Sequence, residues 1–237
     1  MKKTTSQKRH MNWIALDFST SGATLVISQK GMPKHFRFDS LMRKSGDFFS
    51  TLNKQIQFDA KKQTLDYICV GQGPGSFTGI RLAVTIAKTM AYATGAKLIP
   101  LPTPLFIAAQ IDLNPEQNIK GIIQDAKRDN VYLSYVRNSK LIKKTQLISR
   151  LHLTKELRSN AIYLGDGLKN IPEKIRLGAE NSQWLDQMNL GQPTPEAVEL
   201  VAIYAIEHMP HIDPLQLKPI YVYKQTCTVT PRKKSVV

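Results

Sequence analysis

The residue types best suited to chemistry gather in two places: the run Gly71-Gln72-Gly73-Pro74-Gly75-Ser76-Phe77-Thr78-Gly79-Ile80-Arg81, and the turn Asp17-Phe18-Ser19-Thr20. A strand, a glycine-rich turn and a helix can cradle phosphate, because unpaired N–H groups collect at a helix N-terminus. Gly73, Gly75 and Gly79 would admit a close ligand, Ser76 and Thr78 would add hydroxyls, and Arg81 a charge. The spacing fits neither G-x-x-x-x-G-K-[ST] nor the dinucleotide fingerprint, and no lysine follows Gly79. The same residues also read as a tight loop packed on a neighbour, with Ser76 or Thr78 capping the helix. Asp17, with Ser19 and Thr20, is a candidate nucleotide-proximal turn whose carboxylate holds water or metal. It reads equally as an Asx turn capping itself.

Other chemistries find little support. The histidines are His10, His35, His152, His208 and His211, and Pro210 keeps the last two off one helical face, so no metal site is expected. Cys69 lies in an apolar strand and reads as inert core, and with Cys227 it is too little for a disulfide framework. No apolar stretch is long enough to span a membrane, and the basic start is not followed by an h-region, so a cytoplasmic protein is expected. The net charge is +15. Residues 1–10 and 228–237 hold seven basic residues and no acid, which leaves +8 on the body. Attraction to a polyanion and a merely solvated basic surface are both consistent with that.

Elements to position these residues follow from periodicity. Short apolar runs predict strands at 12–17, 23–29, 33–38, 65–70, 97–101, 119–124, 131–136, 140–148 and 161–164. Helical spacing predicts helices at 39–57, 80–94 (stopped by Gly95) and 195–208 (opened by Pro195). The proline-rich piece after residue 101 reads as a hinge. Strands precede and separate helices in both halves, which predicts α/β halves, each with a mixed sheet. Ala83, Ala87 and Ala91 recur at four-residue steps and would let a second helix approach closely. We expect this stripe, with Phe48 and Leu52 of the 39–57 helix, to form a partner interface.

Asp17-Phe18-Ser19-Thr20, the 70–81 string, Asp125-Ala126-Lys127-Arg128-Asp129-Asn130-Val131-Tyr132, Gly165-Asp166-Gly167 and Leu217-Lys218-Pro219-Ile220-Tyr221 occur in an order that resembles the TsaB (YeaZ) family. The resemblance covers roughly residues 13–224. It implies the actin-like, sugar-kinase-like ATPase fold (ribonuclease H-like) in two subdomains, each a mixed sheet flanked by helices. We expect basic tails at 1–10 and 226–237 and subdomains at 11–102 and 103–225.

It also implies a non-catalytic scaffold of the bacterial machinery that forms threonylcarbamoyladenosine at position 37 of tRNAs reading A-starting codons. The implied partners are a TsaD-like transferase, with which the chain dimerises, and a TsaE-like ATPase, with tRNA reached through the complex. A homodimer stays open for the free chain. ATP or ADP and a metal would be held by the partner complex, with no cofactor on this chain alone. The wider family's older peptidase label finds no support in these residues. Phe18 stands where the family usually has Thr, and is expected to put an apolar ring beside the turn. The alternatives are a nucleotide-dependent kinase-like enzyme built on Asp17 and the 71–79 loop, and a basic RNA-binding protein. The second needs aromatics among basic residues, for which Phe36-Arg37-Phe38 and Tyr221-Val222-Tyr223-Lys224 are nearest.

Overall fold

The computed structural model describes residues 11–38, 50, 65–111, 119–186 and 190–222. Apart from residue 50, the expected 39–57 helix, with Phe48 and Leu52, lies outside them, as do residues 1–10 and 226–237.

The first sheet has the order β3-β2-β1-β4-β5, from Met32–Phe38, Ala23–Gln29, Trp13–Asp17, Tyr67–Gly71 and Lys97–Leu101. β1 pairs antiparallel with β2 and parallel with β4, so it is central and buried along its whole length. β2 pairs antiparallel with β3, and β4 parallel with β5. The second sheet repeats this plan: β10-β9-β6-β7-β8, from Gln183–Trp184, Ala161–Leu164, Ile119–Asp125, Asn130–Arg137 and Lys140–Ser149. β6 takes the place of β1, antiparallel to β7 and parallel to β9. The chain is thus a duplicated mixed-sheet unit, as the fold-class expectation has it.

Among the described residues the helices that cover the sheets are α1 (Phe77–Thr94), α2 (Thr103–Ala108), α3 (Glu173–Arg176) and α4 (Pro195–His208). α1 lays Ile80, Ala83, Val84, Ala87 and Ala91 on one face of the first sheet, against Ile14, Leu16, Ile68 and Val70. Ser76 caps its start and Gly95, at φ 72°, its end. The expected hinge is instead α2. Pro104 suits a first helical turn, and every residue of α2 is buried. α2 and α4 fill the space between the sheets, with Leu105, Phe106, Val198 and Ala202 in one cluster with residues of both.

A division at 102/103 does not separate the packing. α4 follows the second sheet in sequence yet packs on β1, β2 and β3. Beyond it, Ile212 bridges to Leu98 and Leu217 joins the first core.

Candidate functional site

The ends of β1 and β6, the start of α1 and the turn after β9 surround a cleft of about 570 Å3. Ser19, Thr20, Gly75, Ser76, Thr78 and Gly79 line it from the first half, and Gln124, Asp125, Lys127 and Asp166 from the second. Two sequence segments with candidate chemistry therefore do meet, and the reason is steric. The Ser76 N–H donates to the Ser19 carbonyl at 2.6 Å. A Cβ on Gly75 would sit 2.0 Å from that oxygen, and one on Gly79 1.8 Å from the Phe18 carbonyl. The glycines fasten the loop to the Asp17 turn, as the plainer reading of the loop anticipates. The Ser76 hydroxyl accepts from the Gly79 N–H at 3.3 Å, so one of the N–H groups at the helix start is taken internally.

Asp17 is fully enclosed rather than lining the cleft. Its Oδ1 accepts from the Ser19 N–H at 3.0 Å and the Ser19 hydroxyl at 2.6 Å. Its Oδ2 accepts from the Thr103 hydroxyl at 2.6 Å. Burial raises its pKa above the ordinary carboxylate value, and these hydrogen bonds only partly offset that. The Asx-turn reading describes this carboxylate; it has no open face for a metal.

Three further expectations are corrected. Phe18 borders the cleft, but its ring is fully buried in the first core rather than presented to the turn, because its apolar surface is covered there. Arg81 is not a phosphate ligand in the cleft; its guanidinium sits 5.1 Å from the centroid of the Phe77 ring, outside it. Ala83, Ala87 and Ala91 are 0%, 0% and 2% exposed, so the stripe faces the chain's own sheet and cannot meet a partner. Gly73 lies behind the loop, under Ile80 and the Ile220 carbonyl.

The opposite wall of the cleft is acidic. Burial pushes Asp125 up, but hydrogen bonds from Lys127 and the charges of Lys127 and Arg150 outweigh it and hold the carboxyl below its usual value. Its oxygens lie 2.7 Å from Lys127 Nζ and 3.2 Å from Arg150 Nη2. Asp166 accepts from the Asp125 N–H, and desolvation, then the neighbouring Asp125 charge, raise its pKa. Gln124 is buried with Oε1 unpaired, while its Nε2 donates to the Pro74 carbonyl at 3.4 Å. Gln124 was visible in sequence only as an amide ending the apolar run Gly121-Ile122-Ile123, a weak signal.

Among the described residues, Lys127 is the one basic side chain lining the cleft, where it is already paired, and no histidine or cysteine lines it. Among the described residues no group of three or more His, Cys, Asp or Glu could hold a metal, and no helix is long and apolar enough to cross a membrane. A phosphate there would face two carboxylates with one compensated lysine, and no nucleophile–base pair is at hand.

A duplicated mixed sheet with a cleft between its halves defines a two-lobed protein of the actin-like ATPase fold. Residues 52–155 match the family model described as TsaD, tRNA N6-adenosine threonylcarbamoyltransferase. The tRNA threonylcarbamoyladenosine biosynthesis protein TsaB of Haemophilus influenzae is 24% identical over 233 residues, covering 90% of this chain and 94% of its own. The Bacillus subtilis TsaB is 35% identical over 77 residues, 31% of each chain. The structure of YeaZ from Pseudomonas aeruginosa superposes with a TM-score of 0.69 at 17% identity, covering 88% of this chain and all of that one. Taken together, these comparisons make the chain similar in sequence and in fold to the TsaB (YeaZ) proteins, which are named for tRNA threonylcarbamoyladenosine biosynthesis.

Proposed function

We propose that the chain is a non-catalytic scaffold in threonylcarbamoyladenosine formation, pairing with a TsaD-like transferase and, through that complex, with a TsaE-like ATPase and tRNA. The observation that carries this reading is Asp17. In a working nucleotide site a carboxylate at the end of the first strand would face the cleft, whereas here both its oxygens are satisfied by Ser19 and Thr103. Nucleotide and metal then belong to the partners. The alanine row being internal, the partner face of α1 is taken to be the flank beside it, where Leu82, Ile86 and Met90 pack at the edge of the first core and stay half-buried.

Reconstitution tests this. Transfer of the threonylcarbamoyl group to tRNA by purified TsaD-like and TsaE-like proteins should require the chain, and the chain alone should hydrolyse no ATP above buffer. Asp17→Asn should support transfer fully. Turnover by the isolated chain that Asp17→Ala abolishes would favour the kinase-like alternative.

A further inference from the structure

We infer that this chain makes its own contact with single-stranded RNA, through a stacking platform of Phe77 and Tyr221 bordered by Arg81, Lys127 and Arg128. The choice of RNA rests on the tRNA-modification reading above; the platform rests on geometry. The two rings lie 5.1 Å apart with planes 35° from parallel. They are 42% and 44% exposed, and neither belongs to any of the three apolar cores. An aromatic pair outside every core contributes little to folding, and the exposed part of its ring surface can stack on a base.

The chain nonetheless positions the pair closely. Phe77 is the first residue of α1. Tyr221 is delivered by the C-terminal segment, which the glycine-rich loop holds: the Ile220 N–H donates to the Gln72 carbonyl at 2.7 Å. Gly73, at φ 98°, has no room for a Cβ, which would lie 2.6 Å from Ile80 Cδ1 and 3.2 Å from the Ile220 carbonyl. The Gln72–Gly73 part of the loop that resembles a phosphate cradle therefore seats this segment.

Cations surround the rings. The Arg81 guanidinium lies over Phe77. A groove of about 390 Å3 runs from Phe77 and Tyr221 to Lys127, Arg128 and Tyr132. Lys127, Arg128 and Asp129 have φ of 63°, 49° and 58°, three successive left-handed residues that project the turn between β6 and β7. Of the nearby acids, Asp125 is compensated by Lys127 and Arg150, Asp166 accepts from the Asp125 N–H and its charge is felt by Lys127, and Asp129 is exposed on the turn. Arg81 and Arg128 make no ion pair with any described carboxylate, which leaves them for phosphates. Stacked bases with flanking arginines are the chemistry of an unpaired strand, because a duplex keeps its base faces covered.

The test uses the full chain and an RNA stem-loop with 2-aminopurine at one unpaired position. Binding should quench the fluorophore by stacking. Phe77→Ala and Tyr221→Ala should each weaken binding by about 5- to 150-fold, as expected for one stacked base, and Tyr221→Phe should restore it. Arg81→Gln and Arg128→Gln should each lower the slope of log affinity against log salt by about 0.7. Both arginines are exposed, so these variants carry the test if an aromatic variant melts early.

Wild-type affinity in both alanine variants, an unchanged salt slope in both glutamine variants, equal binding of a fully paired duplex, or equally tight binding of adenosine monophosphate would each overturn the platform. The transfer assay separates the two readings: unchanged RNA binding with transfer still dependent on the chain sinks only the platform, whereas transfer independent of the chain sinks the scaffold.

Discussion

A carboxylate removed from water must be satisfied or neutralised, and at Asp17 both pressures act on one group. Its folded pKa is raised, so its contribution to stability is fully present below the ordinary carboxylate value and is lost as pH rises through the raised one. Asp17→Asn keeps an acceptor for Ser19 and can donate to the Thr103 hydroxyl. Urea titrations should therefore show wild type losing stability relative to Asp17→Asn as pH climbs out of the acid range. Asp17→Ala should be destabilised at every pH, by about 1–3 kcal/mol for each polar group left unpaired. The glycines give a second contrast. Nothing lies within 4 Å of a Cβ at Gly95, so Gly95→Ala meets only the left-handed backbone, about 1–2 kcal/mol. Gly79→Ala drives a methyl into the Phe18 carbonyl and should exceed the roughly 1–3 kcal/mol typical of overpacking. Thermal melts of the pair should rank Gly79→Ala far below Gly95→Ala.

α1 shows how one periodicity supports two opposite readings at the element scale. Small residues every four positions let something approach closely, and here the neighbour is the chain's own sheet. Ala87→Glu should accordingly prevent folding, since Ala87 is completely enclosed and an unpaired buried charge costs several kcal/mol. Ile86→Glu, on the half-buried side, should leave a folded chain that no longer retains a TsaD-like partner in a pull-down. A folded Ala87→Glu variant would count against the internal assignment. Most strands were legible in the sequence as short runs bounded by polar turns, and β2, β5 and β9 match residue for residue, but the two-residue β10 was not foreseen because it is too short to show an alternation. α2 was not legible, because Pro102 and Pro104 dominate a six-residue segment too short to show a period. The cleft was half legible: the Asp17 turn and the glycine-rich loop stand out in sequence, but their mutual packing does not. The Phe77–Tyr221 pair was invisible, since only the return of the C-terminal segment to the first sheet brings the rings together.

The exchange of helices between the halves governs how the whole molecule comes apart. α4 covers the face of the first sheet opposite α1, and α2 leaves that sheet to lie against β6 and β7. Polar ties reinforce the exchange: the Thr24 hydroxyl donates to the Pro193 carbonyl at 2.7 Å, and His35 Nε2 lies 2.6 Å from Glu199 Oε2. Neither half can keep its core once the other has melted, so a single cooperative transition is expected. Cys69 reports on this directly. It is 0% exposed, its Sγ lies 3.9 Å from the Ala202 carbonyl of α4, and burial pushes its thiol well up. In a Cys227→Ser background, a thiol reagent should not modify the native chain. Across a urea series, the fraction modified in a brief pulse should follow the same midpoint as the loss of circular dichroism from the whole chain. Were α4 to detach on its own, Cys69 would label at lower urea, while the second sheet was still intact. Such an early phase would show that the two halves are separable units, and the shared helical layer would then be a docking interface rather than one core.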